Sequence, residues 1–73
     1  MKAEIKTSKG RYLFEVEGIF ISSESISITF RFTKYNRHYM SFNKVNGEFV
    51  RTEVMGEREV LKDIYIDKEK ILF

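Results

Sequence analysis

Residues 26–33 read Ile-Ser-Ile-Thr-Phe-Arg-Phe-Thr, and this octet decides the fold class. Ile26, Ile28, Phe30 and Phe32 occupy the even positions, and Ser27, Thr29, Arg31 and Thr33 the odd ones. An apolar–polar alternation of period two describes a strand with one face on a core and the other in water.

The pattern extends backwards. A turn at Ser23-Glu24 pairs Ile21 with Ile26 and Ile19 with Ile28. Continued unchanged, the register would set Glu17 against Phe30, a carboxylate against a core ring. One extra residue at Gly18 restores Val16 opposite Phe30 and Phe14 opposite Phe32, so a β-bulge that bends a long strand is expected there. The shared core would be Phe14, Val16, Ile19, Ile21, Ile26, Ile28, Phe30 and Phe32. Upstream, Lys9-Gly10 as a two-residue loop pairs Thr7 with Tyr12, Ile5 with Phe14 and Ala3 with Val16, keeping apolar residues on one side. It also sets Lys2 against Glu17.

Downstream, Asn46-Gly47 is the strongest hairpin dipeptide of the chain. It pairs Val45 with Glu48, Asn43 with Val50, Ser41 with Thr52 and Tyr39 with Val54. The opposite face pairs Lys44 with Phe49, Phe42 with Arg51 and Met40 with Glu53. Neither face is purely apolar, so two readings stay open. One buries Phe42, Phe49 and Met40 and leaves Lys44 and Arg51 at the rim; the cost of exposing two Phe favours it. The other presents Phe42, Phe49, Lys44 and Arg51 to solvent. In the tail, a helix over Glu57–Ile64 would set like charges four residues apart (Arg58/Lys62 and Glu59/Asp63), which disfavours it. A strand over Lys62–Asp67 with Ile64 and Ile66 inward is preferred, followed by a turn at Lys68-Glu69 and Ile71-Leu72-Phe73 along an edge.

The expected fold is therefore all-β: one domain over residues 1–73, an antiparallel meander of five to six strands bent at Gly18 and closed into a small barrel. An open sheet paired in a homodimer, or a short C-terminal helix, is the alternative. A chain of this size buries only about 60% of its unfolded surface. Eleven aromatics, seven Phe and four Tyr, supply most of the packing material.

With 42% apolar and 33% charged residues the composition is globular. The absence of cysteine excludes disulfides, thiolate metal sites and a cysteine nucleophile. His38 stands alone, so no multi-histidine metal site is possible. No apolar leader core lies within Met1–Gly10 and no run approaches the roughly 18 residues of a membrane span, so the expected location is cytoplasmic, with no membrane contact.

Candidate chemistry is sparse. His38 has no carboxylate near it in sequence and reads as a surface histidine. Glu15 and Glu17 share a strand face about 7 Å apart, and opposing lysine charge makes them surface residues rather than an acid–base pair. Asp63, Asp67 and Glu69 are interspersed with Lys62, Lys68 and Lys70, which opposes a cation site. Ser22, Ser23 and Ser25 sit at a turn, where hydroxyls bond local backbone, and Ser27 lies on a wet face. No phosphate loop, dinucleotide fingerprint or nucleophile elbow is present. An enzyme is not expected, and no cofactor.

Charge is the remaining signal. Residues 1–30 sum to zero and residues 52–73 to −2, whereas residues 31–51 sum to +4. That segment holds Arg31, Lys34, Arg37, Lys44 and Arg51 together with Tyr35, Tyr39, Phe42 and Phe49. Cations follow phosphates and rings stack on bases, so these nine residues are the candidate nucleic-acid surface, single strands being favoured. The competing class is a small accessory or inhibitor protein that docks a protein partner, or a second copy, by a β face or an edge strand.

Overall fold

The computed structural model describes residues 1–31, 37–51 and 58–73, with the side chains of Arg31 and Arg37 left aside. They form seven strands: β1 (Lys2–Thr7), β2 (Gly10–Ile21), β3 (Ser25–Arg31), β4 (Arg37–Val45), β5 (Glu48–Arg51), β6 (Leu61–Ile66) and β7 (Glu69–Ile71). All neighbours are antiparallel, in the spatial order β5-β4-β3-β2-β1-β6-β7. The first five strands are a meander, and β6 returns to the free side of β1. The tail is thus strand and not helix, the form that the like-charge pairs favoured.

The bend in β2 falls where the alternation demands it. Ile21 pairs with Ile26, Ile19 with Ile28 and Gly18 with Thr29; the register then shifts, and Val16 pairs with Phe30. One residue, Glu17, is left over, and the strand serves two sheet segments, one with β1 and one with β3. The bulge does not depend on the glycine itself. Gly18 has no positive φ, and a Cβ built on it meets nothing within 4 Å. The extra residue makes the bulge, and the glycine is incidental to it.

The Asn46-Gly47 hairpin has the expected register, Val45 with Glu48 and Lys44 with Phe49. Asn46 at φ 51° and Gly47 at φ 81° make the left-handed turn that matches strand twist. The pairs proposed for Thr52, Glu53 and Val54 lie outside the described residues, as does Phe32. Two turns differ from expectation. The β1–β2 turn centres on Ser8-Lys9, so Thr7 pairs with Gly10, Ile5 with Tyr12, Ala3 with Phe14 and Lys2 with Glu15. This is a slip of two residues, and it leaves every side chain on its expected face. The cause is local and tertiary together: Lys9 N donates to Thr7 Oγ1 (3.1 Å), and Ser8 N donates to Val60 O (2.8 Å). The β6–β7 turn is Asp67-Lys68 rather than Lys68-Glu69, with both residues left-handed (φ 48° and 71°). Asp67 is held there by Lys2, whose N donates to Asp67 Oδ1 (2.9 Å) and whose O accepts from Asp67 N (2.8 Å).

The sheet is open, which corrects the barrel expectation. The outer edge of β6 is divided: Ile64, Tyr65 and Ile66 pair with β7, and the bridge to β5 falls just before Leu61. There, Val50 and Val60 form a single bridge and Arg51 N donates to Glu59 O (2.9 Å). A strand closing a barrel would need the edge that β7 occupies.

The core lies inside the bend. Ala3, Ile5, Val16, Ile26, Ile28, Phe30, Met40, Phe42, Phe49, Leu61 and Ile64 are buried, with Tyr12, Phe14, Ile19, Ile66 and Ile71 packed against them. Phe14 and Phe30 stack across the bulge with centroids 4.1 Å apart. Ile21, expected inside, is 36% exposed, although its cross-strand partner Ile26 is fully buried.

Candidate functional site

The ladder separates the expected nucleic-acid residues. On β4, Met40 and Phe42 face the core, and Phe42 is fully buried; Phe49 is buried opposite Lys44. The reading that left Phe42 and Phe49 as exposed stacking rings is overturned, because the other face of this hairpin carries Ser41, Asn43 and Glu48 and cannot fill a core. Lys44 follows Met40 and Phe42 in the alternation but is exposed, its Nζ 5.7 Å above the Phe49 ring. Arg51 is drawn into an internal ion pair. Arg31 pairs with Arg37 at the far end of β3–β4, whereas Lys34 and Tyr35 lie outside the described residues. Tyr39 remains available, 64% exposed on the outer face.

Tyr39 has a companion there that the segment 31–51 does not contain. Across the outer face one rung reads Gly18, Thr29, Tyr39 and the next reads Phe20, Ser27, Ser41. Phe20 is 66% exposed. Successive rungs and two strand spacings put Phe20 and Tyr39 about 12 Å apart across the face. Between them run the hydroxyls of Thr29, Ser27 and Ser41, with Ser27 Oγ and Ser41 Oγ 3.4 Å apart. The alternation carried this signal, since Phe20 falls on the wet side of its strand between Ile19 and Ile21.

The other concentration of chemistry is internal. Glu59 is only 2% exposed. Its Oε2 accepts from Thr7 Oγ1 (2.6 Å) and Tyr12 OH (2.6 Å), and its Oε1 accepts from Arg51 Nη1 (3.1 Å). The Arg51 guanidinium also lies over the Tyr12 ring, 5.8 Å from its centroid. Burial alone would raise the carboxyl pKa; the hydrogen bonds from Thr7, Tyr12 and Arg51, with the guanidinium charge, outweigh it and hold Glu59 below the ordinary carboxylate range. Tyr12 moves the other way, its phenol raised by its hydrogen bond to Glu59, then by burial and by the Glu59 charge. All these groups are satisfied, and the cluster joins β5 to the β1–β2 turn. Its sequence signal was Arg51, a cation at a core-facing position opposite Phe42, which requires a buried counter-charge.

His38 is exposed beside the Phe30 ring (6.1 Å). Glu4 pairs with Arg11 (3.3 Å) and Asp63 with Lys70 (3.3 Å). Ser22 Oγ accepts from Ser25 N (3.0 Å), the turn role expected of it. Among the described residues no group of three or more acidic or histidine side chains is placed to hold a metal ion, and no helix is long and apolar enough to cross a membrane. A groove of about 890 Å³ runs over the outer face of β1, β2 and β6 past Leu13 and Tyr65. Its charges are mixed, with Lys2 and Lys68 against Glu4, Glu15 and Asp67. In comparisons with known proteins, no family model, no curated protein and no solved structure matches this chain.

Proposed function

We propose that this chain is a non-catalytic module that binds single-stranded nucleic acid on the outer face of β2, β3 and β4. Phe20 and Tyr39 take bases, the hydroxyls between them meet base edges and sugars, and Arg31 and Arg37, at paired positions on β3 and β4, supply charge for phosphate. The observation that carries this reading is the pair of exposed rings on neighbouring rungs of one hydroxyl-lined face. An aromatic surface accepts any base through its π-face, so such a site needs no shaped pocket. Compared with the surface expected from sequence, Phe20 replaces Phe42 and Phe49 as the stacking partner of Tyr39.

Docking of a protein strand on a sheet edge has less support. β7 is three residues long, and the four residues of β5 already meet Val60 and Glu59 on their outer side. Short, occupied edges discourage strand addition.

The test is fluorescence anisotropy with labelled single-stranded and duplex oligonucleotides between about 50 and 200 mM salt, the range over which phosphate contacts change affinity by orders of magnitude. The single strand is expected to bind more tightly, and Phe20→Ser with Tyr39→Ser to weaken it about tenfold or more, since each stacked base contributes about 1–3 kcal/mol. Both side chains are exposed, so the fold survives the change. Arg51→Ala is unsuitable here because it breaks the Glu59 pair. Absence of binding at the lowest salt refutes the proposal and leaves a protein ligand for this face.

A further inference from the structure

The β2–β3 turn, the β4–β5 turn and the start of β6 meet at one end of the sheet, where Lys44 N donates to Glu24 O (2.8 Å). They enclose a concavity of about 270 Å³ lined by Ser23, Lys44, Phe49, Lys62 and Phe73 among others. Three features set it apart from an ordinary charged surface. First, Lys44 occupies a core-facing register position, next in the alternation after Met40 and Phe42, which are both buried. A lysine where the pattern calls for an apolar residue is the kind of local inconsistency that marks functional positions. Second, Lys62 is the residue that the β1–β6 register skips: Lys6 pairs with Asp63 and Thr7 with Leu61. Bulges re-aim side chains, and this one adds Lys62 to the lining. Third, among the described residues neither ammonium has a carboxylate partner, and Glu48, the acid that lines the concavity, is bound by Arg58.

We infer that this concavity is a binding site for a terminal phosphate, a phosphate monoester carried on a small planar group. Two uncompensated ammonium groups match the charge of about −1.5 to −2 that a monoester carries at neutral pH, which a carboxylate or a phosphodiester does not. Lysines bind phosphate as point charges, and the Ser23 hydroxyl supplies a further donor. Beside them, Phe49 and Phe73 meet edge to face with centroids 5.6 Å apart, an apolar wall for the organic part of the ligand. The volume lies just below the usual small-molecule range of about 300–1,000 Å³, so it admits a mononucleotide-sized group or the end of a longer strand. This site is separate from the Phe20–Tyr39 face, and its reading stands whether or not that face binds nucleic acid.

The test is an amide chemical-shift titration of the full chain with 5′-AMP, adenosine, inorganic phosphate, and one oligonucleotide with either a 5′-phosphate or a 5′-hydroxyl. AMP is expected to shift the amides around Ser23, Lys44 and Lys62 and to bind at least about tenfold more tightly than adenosine, as charge-assisted hydrogen bonds to phosphate predict. Lys44→Ala with Lys62→Ala, both exposed and so leaving the dispersed spectrum of the fold, is expected to remove that difference. Phe20→Ser with Tyr39→Ser is expected to leave AMP binding unchanged. Tighter binding of the 5′-phosphorylated strand than of its hydroxyl counterpart identifies a strand end as the source. Response to AMP and phosphate alone identifies a free monoester. Equal binding of AMP and adenosine, undiminished AMP binding by the double lysine variant, or shifts confined to another part of the molecule overturns the inference.

Discussion

Replacing Glu59 by glutamine removes one charge from the centre of the cluster while preserving its shape. Oε2 receives two hydroxyl hydrogen bonds and Oε1 one from the guanidinium. A glutamine keeps its oxygen toward Arg51 and turns its amide toward Thr7 and Tyr12, whose hydroxyls rotate to accept. The two hydroxyl hydrogen bonds thus become neutral and the guanidinium bond loses its anionic acceptor, each losing about 1 kcal/mol. Arg51 is left without a counter-ion at a site where its side chain is largely buried. The summed loss is about 3 kcal/mol, the low end of what breaking a buried ion pair costs. In a chain of this size that lowers the melting temperature by about 12–24 °C.

The pH dependence gives the sharper criterion. The folded pKa of Glu59 is depressed, so its contribution is fully present above the unfolded value near 4.3 and is lost as pH falls through the folded one. The gap between wild type and Glu59→Gln is therefore largest at neutral pH and narrows as pH falls below about 4. Urea unfolding at pH 7, 5 and 3, followed by circular dichroism, measures it. A gap under about 0.5 kcal/mol at pH 7, no more than an exposed ion pair gives, refutes the reasoning. So does a gap that is the same at all three pH values.

Three further outcomes follow from backbone and burial. Gly18→Ala is expected to change stability by less than about 1 kcal/mol, whereas Gly47→Ala, at φ 81°, costs about 1–2 kcal/mol; chemical denaturation separates the two. Lys68→Gly relieves a left-handed lysine at φ 71° and is expected to raise stability by about 0.5–1 kcal/mol, read as a higher melting temperature. Phe42→Ala removes a fully buried ring and is expected to cost about 3–5 kcal/mol, seen as a shifted urea midpoint; a neutral effect would place that ring outside the core.

What was legible in the sequence is what short-range alternation and turn chemistry encode. The octet 26–33 carried β3 itself, and its polarity forced the extra residue between Val16 and Gly18. Asn46-Gly47 carried its hairpin because both residues accept positive φ. The β1–β2 register was beyond reach for a definite reason: a slip of two preserves every face, so the apolar pattern cannot tell Thr7–Gly10 from Thr7–Tyr12. Val60 settles it, from more than fifty residues away. The Asp67-Lys68 turn was hidden for a similar reason, being held by Lys2 rather than by a glycine. Of the candidate site, Tyr39 lies within the charge-rich segment 31–51, whereas Phe20 lies upstream of it and is marked only by its place on the wet side of its strand.

The neighbours β1 and β6 come from opposite ends of the chain, and the Lys2–Asp67 contact spans 65 residues. The meander from β1 to β5 needs only short hairpin closures, whereas β6 must return across the whole of it. Long closures of this kind slow folding. During synthesis β1 has one flank paired with β2 while its other flank waits for residues beyond 60 to emerge. The same arrival delivers Glu59 to donors on β1, β2 and β5 that the earlier strands have already gathered. Completion of the sheet and neutralisation of Arg51 are therefore a single late event, and a nascent chain that stalls before it carries both an open strand and a stranded cation.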